Sequence, residues 1–399
     1  MGSIASRKQR AFGVSWQEQS IFVTGATGFI GGRVCERLVQ AGASRVRALV
    51  HSPHRAARIA RLPIELCPGN LLDPGSLREA LAGASLVIHC GLGDARAIVQ
   101  GTENLLRICV QSGVKRFVHM STTAVYGLTP PPGCETEEAP VRLTGDQYCD
   151  NKARAEQVVL KFGKRGLSAV ILRPSIVCGP FSAWSTRLIE NLRDNRVVLI
   201  DDGRGSCNTT YVDNLVDAIF LSLENEQAIG HTFFITDGEA ITWGDFIRAH
   251  IAMLQNKPQV HEAHSEQVAK YYSKRPGLIR ASFKATGRVL RSREFRQMLL
   301  QIPASERLLT RAWGWLASLP EEKREKIRAR IGVPRQTRQI RPLQSNGQHM
   351  PDEVTFATQT TTVFFRIDKA RDLLGYRPRV SFNEGMRLVE QWLRFANYL

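Results

Sequence analysis

Thr24-Gly25-Ala26-Thr27-Gly28-Phe29-Ile30-Gly31-Gly32 decides the fold of this chain. An apolar run at residues 21–23 precedes it and reads as a buried strand. Residues 33–42 follow it and read as a helix stopped by Gly42. A glycine-rich turn between strand and helix has three tasks. Gly25 permits a tight turn. Gly28 carries no side chain, so a pyrophosphate can approach the backbone. Gly31 lets helix and strand pack closely, and the helix N-terminus faces the anion. A glycine triad alone is weak, because many turns are glycine-rich. The flanking strand and helix make this one read as a dinucleotide site.

Outward from that turn, short apolar runs alternate with amphipathic stretches as far as residue 177. Strands are expected at 21–23, 46–50, 64–67, 86–89, 116–120 and 169–172. Helices are expected at 75–81, 97–112 and 150–163. Such alternation implies parallel pairing through right-handed crossovers, hence an α/β fold with a Rossmann-type doubly wound sheet. Ligands bind such sheets at the carboxyl ends of the strands. After Pro180 the alternation weakens. Helices are read at 188–193 and 212–223, strands at 197–200 and 232–235, and a turn at 201–205. Residues 270–330 read as helical and basic, interrupted by Pro276, Pro303 and Pro320. Residues 334–351 read as a polar loop. A strand at 364–367, a helix at 368–374 and an amphipathic helix at 382–398 close the chain. The expected division is a basic lead (1–19), a dinucleotide-binding domain (20–180) and a smaller, partly helical substrate lobe (181–399). Later segments return to the first domain.

Composition narrows the class. A chain of 399 residues can bury a large core. It has no run of 18 apolar residues and no apolar signal core near its start, which predicts a cytoplasmic protein. Eight cysteines without a C-x-x-C pair predict free thiols and no metal site. The net charge of +17 is concentrated. Residues 270–341 hold 19 Lys and Arg against 5 Glu and no Asp. That segment reads either as a cap helix with a solvated basic face, as an interfacial helix on an anionic membrane, or as a dock for an acidic protein or anionic substrate. Charge alone would allow nucleic acid, but no recognised module supports it, so none is expected.

Tyr148-Cys149-Asp150-Asn151-Lys152 places a phenol and an ammonium one helical turn apart, on one face. The ammonium is expected to lower the Tyr148 pKa from about 10, making it a proton donor or acceptor at a carbonyl or carbinol. Ser121-Thr122-Thr123 closes the expected fifth strand and offers hydroxyls beside it.

The motifs TGATGFIGG, STTAVYG, YCDNK, LRPSIVCGP and TTYVDNLVDAI, in this order, resemble an extended short-chain dehydrogenase/reductase. That superfamily includes the NAD-dependent epimerases/dehydratases and the 3β-hydroxysteroid dehydrogenase/isomerases. The resemblance implies a catalytic Thr122, with Ser121 as the alternative, an acid/base Tyr148, and a Lys152 that holds the cofactor ribose. It implies cofactor contacts from Gly25, Thr27, Gly28, Phe29, Ile30 and Gly31. Asn70 and Leu71 would meet the adenine, and Cys90 and Gly91 the nicotinamide ribose. Pro174, Ile176 and Val177 would meet the carboxamide. No Arg-Pro-Gly-Asp stretch of the sugar-nucleotide members is present, and the Phe365–Pro378 pattern looks closer to the 3β-hydroxysteroid dehydrogenase-like branch. Hydride transfer to or from a ketone or secondary alcohol on a hydrophobic, steroid-, lipid- or polyketide-like substrate, free or carrier-bound, is therefore expected. A nucleotide-sugar epimerase/dehydratase is the alternative. A dinucleotide-binding sensor or assembly subunit is the non-enzyme reading. Family members also pair through helices equivalent to 97–112 and 150–163, which implies a homodimer.

NAD-preferring folds carry an acid about 20 residues past the glycine turn, where it accepts from the ribose 2′-hydroxyl. Residues 46–64 contain no acid. His51, Arg55 and Arg58 stand there instead and suit a 2′-phosphate, so NADP(H) is favoured over NAD(H).

Overall fold

The computed structural model describes residues 16–273, 343–345 and 348–399. Its centre is a sheet of seven parallel strands. In chain order six of them are β1 (Ser20–Thr24), β2 (Arg45–Val50), β3 (Glu65–Pro68), β4 (Leu86–His89), β5 (Arg116–Met120) and β6 (Ala169–Pro174). Two short strands, β7 (Ile176–Cys178) and β9 (Thr209–Tyr211), pair beside it. Another, β8 (Val198–Ile200), pairs with His261–Ala263. The seventh sheet strand is β10 (Thr232–Ile235). The spatial order is β10-β6-β5-β4-β1-β2-β3, so the chain reverses direction of growth between β1 and β4. Ligand crevices of doubly wound sheets open at that reversal, beyond the carboxyl ends.

Helices cover both faces: α1 (Phe29–Gln40), α2 (Pro74–Leu81), α3 (Thr102–Gln111), α4 (Gln147–Gly163) and α6 (Val212–Glu224). Two more, α5 (Ala183–Arg193) and α7 (Trp243–Ala252), pack on each other, α5 also against β7. The sequence encodes the two faces by alternation. In β1, Ile21 and Val23 enter one core with Val34 and Leu38 of α1 and Ile219 of α6. Phe22 enters the other with Leu77 of α2 and Leu105 of α3. All are fully buried. Each such side chain contributes roughly 1.5–3 kcal/mol on leaving water, and a one-residue slip of β1 would exchange the two sets. Caps set the helix starts. Asp146 accepts from Cys149 N–H at α4, and Thr242 with Asp245 forms a reciprocal capping box at α7.

The expected helix at 97–112 is two pieces, a wide turn at Ala97–Gly101 and then α3. Residues 364–367 do not form the expected strand. Their backbone bonds are taken elsewhere: Phe365 N–H donates to the Asn208 side chain and Arg366 N–H to the Glu135 carbonyl. Within the expected loop 334–351, Leu343–Ser345 and Gln348–Met350 are short strands. Residues 16–265 and 348–399 belong to one compact unit, and Glu266 opens a second. Of the basic segment, residues 274–341 lie outside the described residues. Among the described residues no helix is long and apolar enough to cross a membrane, and no group of three His, Cys, Asp or Glu could hold a metal ion.

Candidate active site

The glycine turn sits at the carboxyl end of central strand β1. Gly25 has φ +69°, a left-handed value, and a Cβ there would lie 2.4 Å from the Cys90 carbonyl oxygen. Only glycine satisfies both constraints. A Cβ on Gly31 would lie 2.4 Å from the Gly25 carbonyl oxygen, so α1 is pressed against the turn. Gly28 stands at the N-cap position of α1, and no side chain caps that end. The first-turn N–H groups are thus left for an anion, which is the arrangement a pyrophosphate requires.

Beside the turn a hydrogen-bond chain fixes the end of β4. Gly91 N–H donates to Thr24 Oγ1, which contacts His89 Nδ1 at 2.6 Å. His89 Nε2 contacts Thr102 Oγ1 at 2.9 Å, and Thr102 donates to the Ile98 carbonyl. Thr102 spends its proton on Ile98, so His89 Nε2 donates to it. In the neutral imidazole that burial favours, Nδ1 accepts from Thr24. Burial, assisted by the Lys152 charge, pushes His89 down to about 3. The relay ties β1, β4 and α3 together where Cys90 and Gly91 meet the glycine turn.

Lys152, on α4, is fully buried beneath the crevice. Its Nζ donates to the Met120 carbonyl at 2.6 Å. Burial pushes it down to about 8, against the opposing pull of Glu156 and Cys90. Tyr148, one turn earlier, is half-exposed. Here the structure corrects the expectation from spacing. Tyr148 is raised, not lowered: burial is the main cause, and the nearby Thr122 hydroxyl pulls the other way. The Lys152 ammonium is turned onto Met120 O instead. Thr122 itself is pinned, because its Oγ1 accepts from Ala124 N–H. Thr122 lines the cleft with Tyr148. Ser121, the alternative, is buried with an unpartnered hydroxyl and does not line it.

Beneath α4 lies a buried ion pair. Arg173 donates from Nε and Nη2 to both oxygens of Glu156, at 2.9 and 2.6 Å, and from Nη1 to the Tyr126 hydroxyl at 2.7 Å. Glu156 stands one turn past Lys152, and Arg173 one residue before Pro174. The pair therefore locks the helix carrying Tyr148 and Lys152 to the end of β6.

The remaining sequence-derived residues fall around this centre. His51 and Arg55 are exposed beyond β2. Arg58 is engaged: its Nε donates to Glu36 at 2.8 Å, its Nη1 reaches the Phe29 carbonyl, and its guanidinium stacks 4.1 Å over the Phe181 ring. Asn70 Oδ1 already accepts from Leu72 N–H, so its own turn uses one lone pair of that amide. Leu71 packs under Gly91 and Gly101. Pro174 and Val177 are buried, and the Ile176 N–H is spent on Asn208 O. Thr27, Phe29 and Ile30 follow the turn into α1.

Sequence reasoning missed the far wall of the cleft. The cleft holds about 240 Å³ between Thr122 and Tyr148 on one side and Trp184, Asn208, Trp243, Val354 and Phe365 on the other. Those residues come from four separate segments. Asn208 donates to the Val363 carbonyl and accepts from Phe365 N–H, drawing the C-terminal segment over the site. Only the Thr242 capping box, which begins α7 at Trp243, left a local signal.

Comparison with known proteins identifies the lineage. The model of the NAD dependent epimerase/dehydratase family matches residues 21–235. The chain belongs to this family. As an epimerase/dehydratase-family member it is an NAD(P)-dependent enzyme of the dehydrogenase/reductase type. It is 31% identical over 266 residues to a 2-alkyl-3-oxoalkanoate reductase of Stenotrophomonas maltophilia (strain K279a), covering 62% of this chain and 79% of that one. It is 32% identical over 237 residues to the 4-hydroxy-2-methyl-3-oxo-4-farnesyl-3,4-dihydroquinoline-1-oxide ketoreductase of Stigmatella aurantiaca, covering 57% and 70%. The fold superposes with a TM-score of 0.63 on the dTDP-glucose 4,6-dehydratase DesIV of Streptomyces venezuelae, at 20% identity, over 94% of this chain and 97% of that one.

Proposed function

We propose that this protein reduces a ketone on an uncharged, hydrophobic substrate with NADPH. One observation carries the reading: no residue lining the cleft that holds Thr122 and Tyr148 bears a charge. A nucleotide-diphosphate sugar would need its phosphates matched by cations or free helix N-termini; this cleft has no cation, and the helix starts at Trp184 and Trp243 are already capped by Ser182 and Thr242. Its walls are Trp184, Ile176, Val354, Phe365 and Leu128, with hydroxyls and one amide between them.

When bound, the nicotinamide supplies the hydride. The chain does the rest. The upward shift of Tyr148 keeps the phenol protonated at neutral pH, ready to donate to the developing alkoxide. Thr122, held by Ala124 N–H, orients the carbonyl oxygen toward that proton. Lys152, mostly charged at neutral pH, offers a positive centre under the ribose and phenol. The uncapped α1 N-terminus and the Gly25 cradle receive the pyrophosphate. The NADP preference rests on the absence of an acid after β2 and on His51, Arg55 and Arg58. A 2′-phosphate would compete with Glu36 for Arg58. In this reading residues 20–180 carry the cofactor and later segments the substrate. Exposed Val110 on α3 and Leu160 on α4 suit the homodimer.

The test is net oxidation of NADPH with a panel of neutral ketones. Tyr148→Phe is expected to lower kcat by about 10²–10⁴-fold with cofactor binding intact. Near wild-type turnover in Tyr148→Phe removes its acid role. Tighter binding of NADH than NADPH in titration overturns the cofactor preference.

A further inference from the structure

The catalytic cleft has a neighbour. A second hollow of about 700 Å³ lies within the loop that joins β5 to α4. It shares Gly127 and Leu128 with the catalytic cleft, so the two abut along that dipeptide. Its lining is mainly apolar, with Pro131, Ala139, Pro140 and Leu143. Leu143, in that lining, is 54% exposed. Two charged residues also line it: Asp146, occupied as the cap of α4, and Arg142, which is exposed.

The loop is long but tethered. The Tyr126 hydroxyl donates to the Ala139 carbonyl, and Thr129 Oγ1 to the Ala357 carbonyl. Thr144 and Gly145 N–H groups donate to the Asp150 carboxylate. Residues 127–146 of the loop, 20 in all, form no helix or strand, and a stretch of that length held this firmly is usually functional. Size supplies the second argument. Pockets for drug-sized ligands span about 300–1,000 Å³, and the catalytic cleft falls below that range. A lipid-like substrate with its carbonyl at Tyr148 must leave the cleft. A further hollow at Asp201 and Glu262 shares no lining residue with the cleft and is rich in charge.

We propose that the hollow bounded by Pro131, Ala139 and Leu143 is a second substrate subsite, which takes a saturated or prenyl chain running from the carbonyl across Gly127 and Leu128. The inference rests on the ketone-reductase reading and specifies its substrate as a ketone bearing a long apolar tail.

The test compares 2-hexanone with 2-dodecanone on the full chain loaded with NADP⁺ or NADPH, reading Kd by tryptophan fluorescence and kcat/KM by NADPH oxidation. Each buried methylene contributes a factor of about four. Partial burial of six should give 2-dodecanone at least a tenfold advantage in both readouts. Leu143→Asp, on an exposed side chain, should remove that advantage while leaving 2-hexanone turnover and NADPH affinity unchanged. Leu143→Ala should retain part of it. If both ketones turn over but chain length has no effect, or if Leu143→Asp leaves the advantage intact, the subsite is refuted and the reductase reading stands. If neither ketone is reduced, yet 2-dodecanone binds tighter in a Leu143-dependent way, the hollow holds and the reaction assignment fails. If neither is reduced and neither binds, both fail.

Discussion

The ion pair under the catalytic helix gives the sharpest prediction. Glu156 and Arg173 expose only 3% and 5% of their side chains. Glu156→Gln keeps the shape and removes the charge. One of two charge-assisted bonds is lost, and an amide N–H₂ is set against a guanidinium N–H. A buried cation is left without its counter-charge. Breaking such a pair costs about 3–5 kcal/mol, against a total stability of about 5–15 kcal/mol. With a urea m-value of about 3 kcal/mol/M, the unfolding midpoint should fall by about 1 M or more. The double variant Glu156→Met with Arg173→Met should lose less than Glu156→Gln alone, because no orphaned charge remains. The carboxylate also raises Lys152, so Glu156→Gln should move the alkaline limb of the activity profile to lower pH. A midpoint shift below about 0.3 M, or a double variant worse than the single one, refutes the reasoning.

Two further outcomes are expected. Gly25→Ala places a Cβ 2.4 Å from the Cys90 carbonyl on a backbone with positive φ. NADPH affinity should fall more than tenfold, or the chain should fail to accumulate in soluble form; wild-type binding in a soluble variant overturns the close approach. Lys152 titrates near 8 when folded and about 10.4 when unfolded. The unfolded chain binds more protons between those values, so wild-type stability should rise with pH across that window, by up to about 3 kcal/mol. Lys152→Met should be the more stable variant below pH 8, and the difference should close by about pH 10. A pH-independent difference in urea midpoint refutes the buried-ammonium argument.

Much of the fold was legible because its signals are local. Strands buried on both faces read as apolar runs, and the glycine turn sits between its own strand and helix. The Tyr148–Lys152 spacing likewise survives, since both stand on α4. What the spacing could not convey is direction. Whether Lys152 lowers Tyr148 depends on where its ammonium turns, and the Met120 carbonyl captures it from 32 residues away. Arg58 looked free for a phosphate because Glu36, its partner, lies 22 residues upstream. Residues 364–367 looked like a strand because three of the four are apolar; the Asn208 side chain holds Phe365 instead of a ladder. The cleft wall of Trp184, Trp243 and Val354 carries no periodic signal, because three distant segments assemble it.

The strand order has a consequence for how the chain is made. Growing from its N-terminus, it can complete β3-β2-β1-β4-β5 by residue 120, with the oldest strand in the middle. Strand β6 then docks, but its outer edge must wait for β10, about 60 residues later, which seals it through bonds such as Ile171 N–H to the His231 carbonyl. Synthesis at about 5–20 residues per second leaves that apolar edge open for several seconds. The vulnerable species during biogenesis is therefore a half-built enzyme whose cofactor turn already exists and whose β6 edge does not. Nicotinamide dinucleotide in the surrounding solution could engage the nascent chain before its substrate cleft is assembled.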